Sequence, residues 1–128
     1  MNGTEWLIDV EGCSPDALRD VRRLRGVCGR IIVELRLKVI GEPLWHQFPG
    51  AGGLTGMYLL SESHLTCHTF PEYGTATFNL YCCSARPDWN WDAALTAELG
   101  AERVHMRRIS REIAAKDSAA VAATEELS

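Results

Sequence analysis

Residues 60–83 read LSESHLTCHTFPEYGTATFNLYCC, and this stretch decides the fold. Strict alternation puts Ser63, Leu65 and Cys67 on one face of a strand and His64, Thr66 and His68 on the other. Residues 75–83 make a second such strand after the Pro71-Glu72-Tyr73-Gly74 break, and residues 54–60 make one before it. The junctions between these three runs are too short for parallel crossovers, so the strands are antiparallel neighbours.

Outward from this block, residues 4–10 read as a first strand. Ser14-Pro15-Asp16 reads as a helix start, with a serine N-cap, proline at the first helical position and an acid in the first turn. The predicted helix runs to about Val27, and Gly26 and Gly29 mark its end. Residues 30–40, RIIVELRLKVI, alternate apolar and charged side chains and read as a half-buried strand, with Ile32 alone breaking the pattern. Pro43, Pro49 and five glycines over residues 41–56 exclude a long regular element there. A further helix is expected from an N-cap at Asp88 to Gly100, with Trp89 and Trp91 sealing the core edge, and a last strand over residues 103–109. The fold class is therefore α+β: an antiparallel sheet with about two helices on one face, forming one domain over residues 1–110. The open face of so small a sheet calls for a partner, and a homodimer is expected. Residues 111–128 are Ala-rich and read as a frayed or disordered tail.

The 128 residues suffice for one domain, and a formal charge of −4 argues against nucleic acid as a partner. No apolar run is long enough to span a membrane, and the N-terminal residues do not read as a secretory signal. Five cysteines without a framework spacing fit reduced thiols and a cytoplasmic location. No Cys/His spacing gives a tetrahedral metal set.

The central block also carries chemistry. A serine hydroxyl at a tight turn can attack the preceding carbonyl, moving the acyl group of Glu62 from nitrogen to the oxygen of Ser63. Elimination from the ester leaves dehydroalanine, which hydrolyses to a pyruvoyl group. The sequence needs a hydroxyl, donors for the oxyanion and a base near Cα; Ser63, Thr55 and His68 are of those types. Alternation separates Ser63 from His68 unless the chain bends near Ser63.

LSESHLTCHTFPEYG closely resembles the processing-site signature of the small prokaryotic S-adenosylmethionine decarboxylases. The likeness extends to residues 3–13, to the approach over residues 48–56, to residues 79–83 and to Arg103-Val104-His105. The resemblance implies cleavage between Glu62 and Ser63 into a β chain of residues 1–62 and an α chain of residues 63–128. Ser63 would become a covalent pyruvoyl cofactor, with neither metal nor pyridoxal phosphate, whose ketone condenses with the amine of a small amino-acid-type substrate. It assigns His68 and Thr55 to processing, Cys83 to reprotonation of the substrate carbon, with Cys82 as the competing choice, and Glu72 to the ribose hydroxyls. Phe48 and Phe70 would stack the adenine. It also puts the site at the interface of a dimer of αβ units. The product would be the aminopropyl donor for spermidine synthesis. His64 and His105 read as structural.

Several positions depart from the family pattern. Glu5 or Trp6 stands where a histidine is usual, Asn79 replaces an aspartate and Ser84 a glycine, and the loop over residues 48–55 is one residue longer. These changes touch the pocket, so decarboxylation of free ornithine or arginine on the same fold is the alternative reading. A third, an inactive homologue serving as a subunit partner, would be expected to have lost Ser63, His68 or Cys83; all three are present.

Overall fold

Alternating strands assemble into one six-stranded antiparallel sheet in a computed structural model that describes residues 2–112. In chain order the elements are β1 (Asn2–Glu11), α1 (Pro15–Leu18), α2 (Val21–Glu34), β2 (Leu44–Gln47), β3 (Leu54–Leu60) and β4 (Ser63–Phe70). A 3-10 turn (Pro71–Tyr73), β5 (Thr75–Cys82), α3 (Trp91–Leu99) and β6 (Arg103–Glu112) complete them. The strand order is β2-β3-β4-β5-β1-β6, and every pairing is antiparallel.

The helices cover one face of the sheet. Trp6, Ile8 and Val10 of β1, Leu65 and Cys67 of β4, and Phe78 and Leu80 of β5 form the core layer with Leu24, Ile31, Leu95 and Leu99. Full burial of one such Leu or Ile stabilises the fold by about 1.5–3 kcal/mol. Thr69 fastens the layers, since its hydroxyl donates to the Leu18 carbonyl at 2.7 Å and accepts the Leu54 N–H at 2.9 Å. The opposite face carries Met57 and Leu59 of β3 in the open, with Leu44 of β2 also exposed. The α+β sheet with its helices on one face is thus the architecture expected from sequence.

The strand expected over residues 30–40 is not one. Residues 21–34 form α2, whose Leu24, Val27, Cys28 and Ile31 are buried at the i, i+3, i+4, i+7 spacing of a helix stripe. Val33, buried in the strand reading, is 75% exposed. Gly26 and Gly29 lie inside α2, and a Cβ on either would meet nothing within 4 Å. The helix predicted from Ser14 to Val27 is instead two helices. Ser14 caps α1 by accepting from the Ala17 N–H at 3.3 Å, and Asp20 then starts α2 by accepting from the N–H groups of Arg22 and Arg23. Asn90, not Asp88, caps α3, accepting from the Ala93 N–H at 3.1 Å. Asp88 receives the Trp6 indole N–H at 3.2 Å and the Arg108 guanidinium at 2.8 Å. Residues 111 and 112 belong to β6, and the remainder of the expected tail lies outside the described residues.

Candidate active site

Ser61 and Glu62 form the two-residue turn between β3 and β4, across which Leu60 pairs with Ser63. The Ser61 N–H donates to the Lys38 carbonyl at 2.9 Å. Glu62 is held by Arg86, with 2.7 Å between Oε1 and the guanidinium. Its main-chain carbonyl accepts the Cys83 N–H at 3.1 Å. The carbonyl that Ser63 would attack therefore already carries one donor for a developing oxyanion. Glu62 Oε2 and Arg86 Nε are buried without a protein partner.

Ser63 has φ of 145°, a value L-residues rarely adopt and one that costs on the order of 1–3 kcal/mol. The strained backbone lies on the peptide proposed for cleavage. Here the simple alternation fails, because Ser63 Oγ lies 3.2 Å from Nδ1 of the adjacent His64. The bend that would let Ser63 meet His68 thus brings it to His64 instead. His64 Nε2 is 2.9 Å from Asn79 Oδ1, and Asn79 Nδ2 donates to Glu5 Oε2 at 2.8 Å. Arg111 closes the row at 2.8 Å from Glu5 Oε1. The amide hydrogen bond from Asn79 is the largest cause holding the Glu5 pKa below the ordinary carboxylate range; burial opposes it and Arg111 adds to it.

His68 sits elsewhere. It stands opposite Thr55 in the β3–β4 register, with 3.0 Å between Thr55 Oγ1 and His68 Nδ1. Phe48, Thr55, His68, Phe70 and Glu72 line one open cavity of about 460 Å³. Five residues of extended strand, roughly 16 Å, separate His68 from Ser63. The residues singled out from sequence thus form two groups at opposite ends of β4. Glu62, Ser63 and Cys83 are at one end, and Thr55, His68, Phe48, Phe70 and Glu72 at the other.

The cysteine pair divides as alternation requires. Cys82 is fully buried on the helix-covered side, and loss of solvent pushes its thiol up to about 11. Cys83, half-buried just beyond β5, stands at the Glu62 end of the site. Sequence reasoning read His64 as structural, took Glu5 only as a departure from the family pattern, and did not single out Arg86 or Arg111, which the fold brings to Glu62 and to Glu5. The available signal was the pairing of β4 with β5, which sets Thr66 opposite Asn79 and His64 one step along the same face. Among the described residues, no group of three or more His, Cys, Asp or Glu side chains is arranged to hold a metal ion, and no helix is long and apolar enough to cross a membrane.

The chain is similar to known proteins over nearly all of the described residues. The S-adenosylmethionine decarboxylase family profile matches residues 4–112. The S-adenosylmethionine decarboxylase proenzyme of Moorella thermoacetica is 34% identical over 111 residues, covering 85% of this chain and 86% of that one. The proenzyme of Carboxydothermus hydrogenoformans is 32% identical over 119 residues, with 91% of each chain covered. The crystal structure of the adenosylmethionine decarboxylase from Aquifex aeolicus superposes with a TM-score of 0.72 at 27% identity, covering 91% of this chain and 95% of that one. Glu5 is engaged at both oxygens, by Asn79 and Arg111, which leaves it ill-suited to receive a free guanidinium or ammonium substrate. With the family profile matching residues 4–112, relatives above 30% identity along most of their length and a shared fold, this chain belongs to the S-adenosylmethionine decarboxylase family.

Proposed function

We propose that this chain is a proenzyme that cuts itself between Glu62 and Ser63 and then decarboxylates S-adenosylmethionine, supplying the aminopropyl donor for spermidine synthesis. The observation that carries the reading is the scissile peptide itself. Ser63 is strained, its hydroxyl rests on an imidazole nitrogen, and the Glu62 carbonyl rests on the Cys83 N–H.

These residues fit a pyruvoyl group made from Ser63. The half-buried strand start has the nucleophile and an oxyanion donor at one peptide, with Cys83 supplying that donor from its backbone N–H. When formed, the group supplies an electron sink for the carbanion left by departing CO2. The chain's own residues do the rest. Cys83 offers the proton returned to the substrate carbon, because its neighbour Cys82 is sealed in the core. Phe48 and Phe70 offer flat apolar faces for the adenine, and Glu72 a carboxylate for the ribose hydroxyls.

One chain cannot bring its own His68 to its own Ser63 across roughly 16 Å of strand. A two-fold partner packed on the open sheet face solves this, since it runs the β4 of one copy against that of the other. The Ser63 end of one αβ unit then meets the Thr55–His68 end of the second. Met57 and Leu59, 51% and 59% exposed, are apolar surface for such a contact. The five free thiols suit a reducing, cytoplasmic setting.

The test is intact-mass analysis followed by CO2 release from S-adenosylmethionine, ornithine and arginine side by side. The expected result is two fragments, residues 1–62 and 63–128, the second with a blocked N-terminus, and release from S-adenosylmethionine. A single uncut mass without CO2 release would sink the reading. Release from ornithine or arginine alone would move the substrate to a free basic amino acid.

A further inference from the structure

We propose that His64 is the base that takes the hydroxyl proton of Ser63 in the acyl shift, with Asn79 and Glu5 as positioning residues that fix its tautomer. This rests on the self-cleavage reading above and adds a residue to it.

The assignment follows from donor and acceptor accounting along one row of side chains. Arg111 occupies Oε1 of Glu5, and Oε2 faces Asn79 at 2.8 Å. An ionised carboxylate only accepts, so the Asn79 atom facing it is the amide nitrogen. The Asn79 oxygen is thereby turned to His64 Nε2, at 2.9 Å. An amide oxygen also only accepts, so Nε2 carries the hydrogen of the neutral ring. Nδ1 is left with a bare lone pair, 3.2 Å from Ser63 Oγ. That is the geometry and protonation a general base needs.

The step balances without a co-reactant. The Ser63 hydroxyl proton passes to His64 Nδ1 as Oγ bonds to the carbonyl carbon of Glu62. The negative oxygen gains the Cys83 N–H, already 3.1 Å away. The C–N bond then breaks, and the proton on Nδ1 passes to the departing amine nitrogen of Ser63. An ester and a free amine result, and the imidazole is neutral again. Later removal of the Ser63 Cα proton is a separate event, for which His68 is the available imidazole. The two histidines thus serve different bonds.

The sequence departures gain a meaning here. Asn79, which stands where the family usually has an aspartate, touches Glu5, one of the two residues at the position of the usual histidine. Together they present one negative charge and one amide, and the amide faces the histidine.

The test uses the full chain made by cell-free synthesis and chased over time, with cleavage followed by gel and intact mass. Hydroxylamine is added to parallel samples, because it cuts an ester and spares an amide. Wild type should split between Glu62 and Ser63. His68→Ala should stall as a hydroxylamine-labile ester, whereas His64→Ala should stall before it, uncut with or without hydroxylamine, and about 100-fold slower or more. Free imidazole should restore part of the rate. Ser63→Cys in the His64→Ala background should give a hydroxylamine-labile chain, since a thiol ionises without a strong base. Should His64→Ala lose its fold by circular dichroism, Asn79→Leu replaces it, with slowed ester formation expected. A folded His64→Ala chain (or its Asn79→Leu substitute) that forms ester at the wild-type rate overturns the proposal and leaves the self-cleavage reading intact. A wild-type chain that never splits defeats both.

Discussion

Thr55 Oγ1 and His68 Nδ1 are 3.0 Å apart at directly opposed positions of β3 and β4, while Ser63 begins the same strand five residues earlier. The hydroxyl and imidazole form a unit that orients the ring, and five residues of extended strand separate it from its own chain's serine. If this pair acts in processing, it acts on the serine of a second copy. Co-expression of differently tagged Ser63→Ala and His68→Ala chains should therefore restore cleavage of the His68→Ala chain, which neither variant undergoes alone. Thr55→Val should slow processing by up to about 100-fold, and Thr55→Ser should retain it. Mixed chains that stay whole would refute the arrangement in trans.

Acid stability should track the carboxylates of Glu5 and Asp88. Hydrogen bonding from Asn79 lowers the first below its ordinary 4.5, and the Trp6 indole, followed by Arg108, lowers the second below 3.8. A lowered folded-state pKa gives stability that is complete above the ordinary value and lost as pH falls through the folded one. The melting temperature should thus hold down to about pH 4.5 and decline below it. Glu5→Gln should flatten part of that decline; an unchanged slope would mean the network does not form.

The cysteines should differ sharply toward an alkylating reagent at pH 8. Burial pushes Cys13 and Cys82 up to about 11 and Cys67 well above the usual thiol value, so few thiolates are available there. Cys28 is buried outright. Peptide mapping after brief iodoacetamide exposure should find Cys83 labelled first. Cys83→Ala should still be cut yet lose decarboxylation by about 100-fold or more, as removal of a general acid predicts. Fast labelling of Cys82 would reverse the two roles.

Gly56 is held by contact. A Cβ there would fall 2.6 Å from the ring of Trp45, whose indole N–H donates to the Tyr58 hydroxyl at 3.2 Å. Gly56→Ala should displace Trp45 and destabilise the fold by about 1–3 kcal/mol. The check is a lower melting temperature together with a shift in tryptophan emission.

Much of the sheet was legible because strands with one wet face write their register into alternation. β1 and the run from β3 to β5 obey it nearly residue by residue. The second half of α2 was read as strand because residues 31–39 satisfy two periods at once. Ile31 and Leu35 are buried in either, and only the earlier Leu24, Val27 and Cys28 separate helix from strand. Gly26 and Gly29 pointed to a helix end, yet both sit on the outer side of α2, where each costs about 1 kcal/mol of helix propensity without blocking it. The site was legible as residue types but not as a map. A strand spreads neighbours in sequence over many ångströms, so Ser63 and His68 sit close in the text and far apart in space. His64 was read as structural for the opposite reason. Alternation assigns it to the face opposite Ser63, and only the backbone distortion at Ser63 cancels that assignment.

The turn at Ser61 and Glu62 joins two strands that pair continuously from Leu60 opposite Ser63 to Thr55 opposite His68. A cut there would turn a folding problem into an assembly problem. Before the cut, β3 and β4 find each other at the high effective concentration of a two-residue tether. Afterwards each fragment must meet the other through solution, and recovery from denaturation becomes second order in protein. The mature molecule would then be the record of a fold completed once. Diluted denaturant should rescue the uncut Ser63→Ala chain at any concentration, and the processed one only when fragments are plentiful.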